Sequence, residues 1–417
     1  MYKVSAHTGT LVRMPGPLPD GDPVPRDGSL PSSLLGAVGG RGFGVYVHIP
    51  FCASRCGYCD FNTYTASDGV RAEGYADSVL AELALAGRVL GDTPPSRVDT
   101  VFFGGGTPTL LPPAELGRIL AGIDRTWGLA GDVEVTTEAN PESVTPTCLR
   151  ELRAAGFTRI SLGMQSGAAH VLAVLDRRHT PGRAVEAAVQ ARAAGFTHVN
   201  LDLIYGTPGE TAADFASSLD LVLTAGVDHV SAYALIVEDG TRLANRIVRG
   251  ELPYPDEDVA ADRYLAAEHI LTEAGFDWYE VSNWARTPAD RCRHNLLYWT
   301  GGDWWGLGPG AHSHVGGVRW WNVKHPSAYS ARVSAGESPG QAREILGPRE
   351  RHTENVLLRL RLVDGLELST LDRAGQAAAK RALADGLLDG SAFRAQRAVL
   401  TLRGRLLADA VVRDLLP

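Results

Sequence analysis

The sequence predicts an α/β fold: about six strand–helix units in series, forming a parallel barrel or part of one, with a smaller, mostly helical domain behind it. Three observations predict it. Short β-branched runs alternate with helix-like stretches from Gly44 onward. Four segments share one grammar: "AAGFTRISLGMQS" (154–166), "AAGFTHVNLDLIYG" (193–206), "TAGVDHVSAYALI" (224–236) and "EAGFDWYEVSNWA" (273–285). In each, a helix ends in alanine, a glycine stops it (Gly156, Gly195, Gly226, Gly275), and a half-dozen strand residues follow. Past about Pro339 this alternation gives way to helices. A doubly wound open sheet is the alternative architecture, because strand order is not written in the sequence.

Residues 1–40 scatter six prolines (Pro15, Pro17, Pro19, Pro23, Pro25, Pro31) among glycine, serine and aspartate, and read as a disordered leader. Order begins at "GVYVHIP". Strands are expected at Val45–Ile49, Thr100–Phe103, Val133–Glu138, Arg159–Leu162, Val199–Ile204 and Val230–Ala234, with helices such as "YADSVLAELALAG" between them. The barrel and its extension occupy 41–339. Residues 340–417 read as helices, a small hairpin and a last helix, in a winged-helix-like arrangement whose arginines form a solvated face.

At 417 residues, with 44% hydrophobic and 21% charged, the chain has an ordinary globular composition. Its net charge of -8 offers no concentrated positive surface, so nucleic acid is not an expected partner. Five cysteines, three of them clustered, make a poor disulfide framework and point to the cytoplasm. "MYKVSAHTG" lacks the pattern of a signal peptide, and no apolar run reaches the roughly 20 residues of a membrane span.

The chemistry starts at "FCASRCGYCDF" (51–61), where Cys52, Cys56 and Cys59 bring three thiols to one loop. Structural zinc wants four protein ligands, and only Cys292 with His294 could complete it. A [4Fe–4S] cluster held by three cysteines leaves one iron open to a small molecule, which is a reason to stop at three. "FFGGGTPT" (102–109) closes the second strand, where Gly104, Gly105 and Gly106 let a backbone approach a ligand and Thr107 adds a hydroxyl. Glu138, Gln165 and Asp202 stand at or within later strands, and Arg177 lies in the helix after the fourth. Taken singly, each is an ordinary structural polar group.

Together these motifs resemble the radical S-adenosylmethionine (SAM) superfamily, and within it the oxygen-independent coproporphyrinogen III oxidase family with its heme chaperone branch. The CxxxCxxC spacing is specific at the superfamily level, and the resemblance runs from Tyr46 through the C-terminal domain. It implies a partial (β/α)6 radical-SAM barrel with a winged-helix-like C-terminal domain. It also implies a [4Fe–4S] cluster on Cys52, Cys56 and Cys59, with SAM on the open iron. Tyr46, Gly105, Gly106, Thr107, Glu138 and His312 then surround the first SAM, with Tyr58 placed to meet ligand. Gln165, Arg177, Asp202 and Ala234 match positions around a second SAM.

The oxidase has a further cysteine two positions beyond the third cluster cysteine, where this chain has Phe61. That favours the chaperone: a protein that binds heme and delivers it to an acceptor protein, with no catalytic residue assigned. Oxidative decarboxylation of coproporphyrinogen III, or radical SAM chemistry on another substrate, is the enzymatic alternative. An electron donor is implied if SAM is cleaved; transient membrane association and a monomeric or homodimeric state are left open. "YEVSNWA" (279–285), "CRHNLLYW" (292–299) and "WWGLGPGAHSH" (304–314) resemble the chaperone branch. Their histidines and tryptophans could face a porphyrin, or could close the barrel as satisfied core groups.

Overall fold

The computed structural model describes residues 20–416, apart from 36, 37, 39, 92, 178 and 181. Six parallel strands follow one another in space as in sequence: β1 (Phe43–Ile49), β2 (Val98–Gly105), β3 (Leu129–Ala139), β4 (Arg159–Gln165), β5 (His198–Tyr205) and β6 (His229–Ala234). The order never reverses, so the doubly wound alternative is excluded. β1 and β6 do not pair with each other, and the barrel is therefore a partial one. The six expected strands are all present, each longer than expected by two to five residues or, for β6, by one.

The expected grammar has a single local cause. Gly156 adopts φ 106, its N–H reaches the Arg153 carbonyl, and the Phe157 N–H reaches back to Leu152. That is a Schellman stop, in which the residue after the glycine tucks under the helix. Phe196 and Phe276 make the same return, to Ala191 and Leu271.

Alternation with period two separates the two faces of each strand. Val45, Val47, Val101, Phe103, Ile160, Leu162, Leu201 and Val230 are fully buried and share one core with helix residues such as Leu83, Ile119, Leu149 and Leu219. The opposite face carries Tyr46, His48, Glu138, Ser161, Asn200, Asp202, Ser231 and Tyr233, so the lumen is polar. Asn200 Nδ2 donates to Ser161 Oγ, Asp202 Oδ1 and Ser231 Oγ at 2.7, 2.7 and 2.9 Å.

Six more strands extend the sheet: β7 (Asp277–Glu280), β8 (Asn283–Ala285), β9 (Asp303–Leu307), β10 (His312–Val315), β11 (Val318–Asn322) and β12 (Gly340–Ile345). The order is β12-β11-β10-β9-β1-β2-β3-β4-β5-β6-β8-β7. The fourth repeat thus departs from the expected strand–helix unit. Its strand β7 turns at once into β8, and β8 takes the place beside β6, antiparallel to it.

Two expected boundaries shift. Of the expected disordered leader, residues 1–19, 36, 37 and 39 lie outside the description, but the rest is ordered on the sheet. Asp22 and Arg343 exchange both backbone hydrogen bonds, at 2.7 and 2.8 Å, and Val24 covers Gly340. Proline can sit on such an edge because its missing N–H faces outward. β12, expected in the second domain, belongs to the main sheet, and a separate packing unit follows from the helix Pro348–Arg359. It packs Val356, Leu360, Ala379 and Val412 in a core of its own, with Leu366–Glu367 pairing Arg397–Ala398. Its Arg405 holds Glu268 at 2.6 Å and lies over Trp278, while Val363 N–H donates to Tyr279 O on β7. Among the described residues no helix is long and apolar enough to cross a membrane.

Candidate functional site

The loop after β1 is pinned on every side. Cys52 N–H donates to Tyr64 O at 2.9 Å, Gly57 N–H to Leu175 O at 3.0 Å, and Leu243 N–H to Gly57 O at 2.8 Å. Arg55 reaches across to the carbonyls of Phe61 and Thr63. Cys52, Cys56 and Cys59 are all free thiols. Burial pushes the Cys59 thiol up to about 11, with Cys56 and Cys52 adding to it, and burial raises Cys52 likewise. Three part-buried thiols on one loop, two of them (Cys52 and Cys59) held against ionisation by burial, suit a cationic iron–sulfur cluster, whose charge would offset the repulsion between thiolates.

The glycine run of β2 lies directly against this loop. Gly106 N–H donates to Ile49 O and Thr107 N–H to Phe51 O, at 2.8 and 2.7 Å. A Cβ on Gly106 would stand 2.4 Å from the Phe51 carbonyl oxygen and 3.0 Å from Cys52 Sγ. The run therefore serves contact with the cysteine loop itself, a constraint not expected from the sequence. Gly105, at φ 112, turns its N–H to Glu138 Oε2 at 2.9 Å.

Glu138 and Asp202 face each other in the lumen. Burial, and then Asp202, push Glu138 up to about 8. Burial raises Asp202 as well, against hydrogen bonds from Ser161 and Asn200. Arg177, expected within the helix after β4, lies past its end (the helix is Ala169–Val174), and it bridges β4 to the loop: Nη2 donates to Gly163 O at 2.9 Å and Nη1 to Cys56 Sγ at 3.4 Å. Gln165 ends β4 with φ 66, at a bulge in its pairing with β5. Tyr46 meets His48 Nδ1 through its hydroxyl at 2.9 Å, and its ring stacks on Phe102. Ala234 ends β6 opposite Tyr205. Tyr58 packs with Val171, Leu175 and Leu243 beneath the loop. His312 opens β10, on the far side of β9, its Nδ1 buried without a hydrogen-bond partner; burial holds its pKa down to about 4.

The aromatic runs meet, but as a closure of the barrel. His294 N–H donates to Glu134 Oε1 at 3.1 Å, while its ring nitrogens take Thr100 Oγ1 and Tyr298 OH, each at 2.8 Å. Burial drives this histidine down to about 3. Glu280 of the first run shares hydrogen bonds with Asn283, Trp299 and Asn295, and Trp305 packs on Trp127 and Trp320. Cys292 is 4% exposed with its thiol toward Glu134, so Cys292 and His294 are no second half of a zinc site. Elsewhere, His198, Asp228 and Asp290 converge near the starts of β5 and β6, where Arg192 already pairs with Asp228 at 3.2 Å.

The sequence alone does not single out His48, Asn200 or Tyr233. The available signal was a polar residue at every second position of otherwise apolar strands.

Residues 46–222 match the radical SAM superfamily. The heme chaperone HemW of Mycobacterium tuberculosis is 56% identical over 92% of this chain and 97% of its own length. HemW of Synechocystis is 36% identical over 82% and 83%, and HemW of Bacillus subtilis 32% identical over 77% and 84%. In fold the chain is similar to coproporphyrinogen III oxidase (HemN) of Escherichia coli, with a TM-score of 0.78, 24% identity and 92% of each chain covered.

Proposed function

The chain belongs to the HemW family of radical SAM proteins, and from that membership we propose that it binds heme and passes it to an acceptor protein. A [4Fe–4S] cluster and SAM occupy the barrel mouth in this reading. Cys52, Cys56 and Cys59 hold the cluster. Tyr46, Gly105, Gly106, Thr107, Glu138 and His312 serve the first SAM, with Tyr58 packed below; Gln165, Arg177, Asp202 and Ala234 serve a second. Bound together, cluster and SAM supply one-electron chemistry at the sulfonium. The protein's own part is to hold a proton on Glu138 near neutral pH and to keep the Arg177 charge against the cysteine loop.

The observation that carries the chaperone over the oxidase is position 61. Phe61 is 55% exposed beside Cys59 and offers no thiol where the oxidase pattern has one. The cytoplasm suits a chain whose five cysteines are all free. The acceptor protein and, if SAM is cleaved, an electron donor complete the set of partners.

One anaerobically reconstituted preparation tests the reading. Heme should bind at one per chain and move to an apo-acceptor on mixing, with no protoporphyrinogen formed from coproporphyrinogen III. Decarboxylation above background would overturn the chaperone assignment, as would the absence of saturable heme binding.

A further inference from the structure

A cavity of about 750 Å3 lies on the outer side of β4, between the helices Ala169–Val174, Arg183–Ala193 and Ala212–Thr224. Its size falls in the range of ~300–1,000 Å3 typical of cofactor sites. Met164, Leu172, Val185 and Leu221 give it apolar walls, and Glu142, Asp176, Arg177 and His179 form its polar side. One wall backs the cysteine loop, through Gly57 N–H to Leu175 O and Arg177 to Cys56.

Two polar groups at this cavity are unexplained. His179 lines it with Nδ1 buried and without a hydrogen-bond partner, and the Nε of Arg177, also on its wall, is buried and unpartnered. Leaving such groups unsatisfied is unfavourable, and a ligand would relieve it. Burial, and then Arg177, lower the His179 pKa, so the ring is neutral and able to coordinate metal. Thr180 N–H, donating to Glu142 Oε1 at 2.6 Å, ties the loop that carries His179 to the turn after β3. His48 and His294, by contrast, have both ring nitrogens engaged.

We propose that this cavity is the tetrapyrrole site, with His179 as the protein ligand to the iron and Arg177 facing a propionate. The assignment rests on the heme-carrying function proposed above. It puts the cargo outside the barrel, with Arg177 shared between the cargo and the cluster loop.

The test uses the full chain with its cluster reconstituted. Hemin is titrated in, bound heme is counted as pyridine hemochrome after gel filtration, and ferric heme is followed by electron paramagnetic resonance. Wild type should show one histidine-ligated heme. His179→Ala should change that signal and weaken binding at least tenfold, and added imidazole should restore the signal. Val185→Trp, obstructing the cavity, should weaken binding at least tenfold with cluster iron and Tm unchanged. If it misfolds, His179→Ala with imidazole decides alone. Wild-type affinity and spectrum in both variants would overturn the site while leaving the chaperone function standing; a wild-type chain that binds no heme would overturn both.

Discussion

Arg177 Nη1 lies 3.4 Å from Cys56 Sγ, so one fixed positive charge stands against one of the three loop thiols. Hydrogen bonds and charge at the sulfurs set cluster potentials. Losing a charge-assisted bond of ~1.5–3 kcal/mol corresponds to about 60–130 mV for one electron. Arg177→Gln should therefore lower the cluster's reduction potential by about that much, read by redox titration of its reduced signal. An unchanged potential would mean that Arg177 only braces Gly163.

Gly106→Ala should prevent cluster assembly. The added methyl would meet a backbone oxygen at 2.4 Å, which cannot swing aside as a side chain can. Overpacking of this kind costs ~1–3 kcal/mol and would move Cys52 with it. Gly250→Ala is the control: it has φ 75 but nothing within 4 Å, so it carries only backbone strain of ~1 kcal/mol. Iron content after reconstitution, compared between the two, checks this.

Glu82 gives a stability signature in pH. It accepts from Tyr329 OH, Gly308 N–H and Asn322 Nδ2, at 2.6, 2.7 and 2.7 Å, yet burial pushes it up from 4.5 to about 7. Between those values the folded chain binds more protons than the unfolded one, so stability falls as pH rises from about 4.5 to 7 and levels beyond. The contribution is on the order of 1–3 kcal/mol. Urea midpoints from pH 5 to 8 should show a shallower slope in Glu82→Gln than in wild type, the remainder coming from Glu138, Glu210 and Glu280, which burial also raises.

Alanine at Cys52, Cys56 or Cys59 should each remove the cluster's visible absorption. Cys148→Ala should not, since that thiol sits on a separate helix, Pro146–Ala154. Loss of the cluster in Cys148→Ala would refute the three-ligand assignment.

What the sequence made legible was local. The helix-stopping glycines, the strands and the cysteine loop are each set by neighbours along the chain, and short runs displayed them. The lumen was less legible because it is assembled by register: Asn200 meets His229, and Asp202 meets Ser231, only once β5 and β6 pair. Each looks like an isolated polar residue beforehand. The β7–β8 reversal was hidden because a helix, a glycine and a strand read alike whether the next connection is a helix or a tight turn. The leader misled through its prolines, which mark a sheet edge as readily as disorder. His179 belongs to a short stretch between helices with no periodicity to announce it.

The pairing of Asp22 with Arg343 at one end of the sheet, and of Val363 with Tyr279 at the other, has a bearing on how the protein keeps in solution. A sheet of twelve strands offers two outer edges, each a template for unwanted strand addition by another molecule. Here one edge is dressed by the N-terminal arm and the other by the C-terminal domain. Trimming the arm past Val24 would strip that protection from β12 without touching the metal loop. Such a truncation should assemble its cluster normally and yet self-associate.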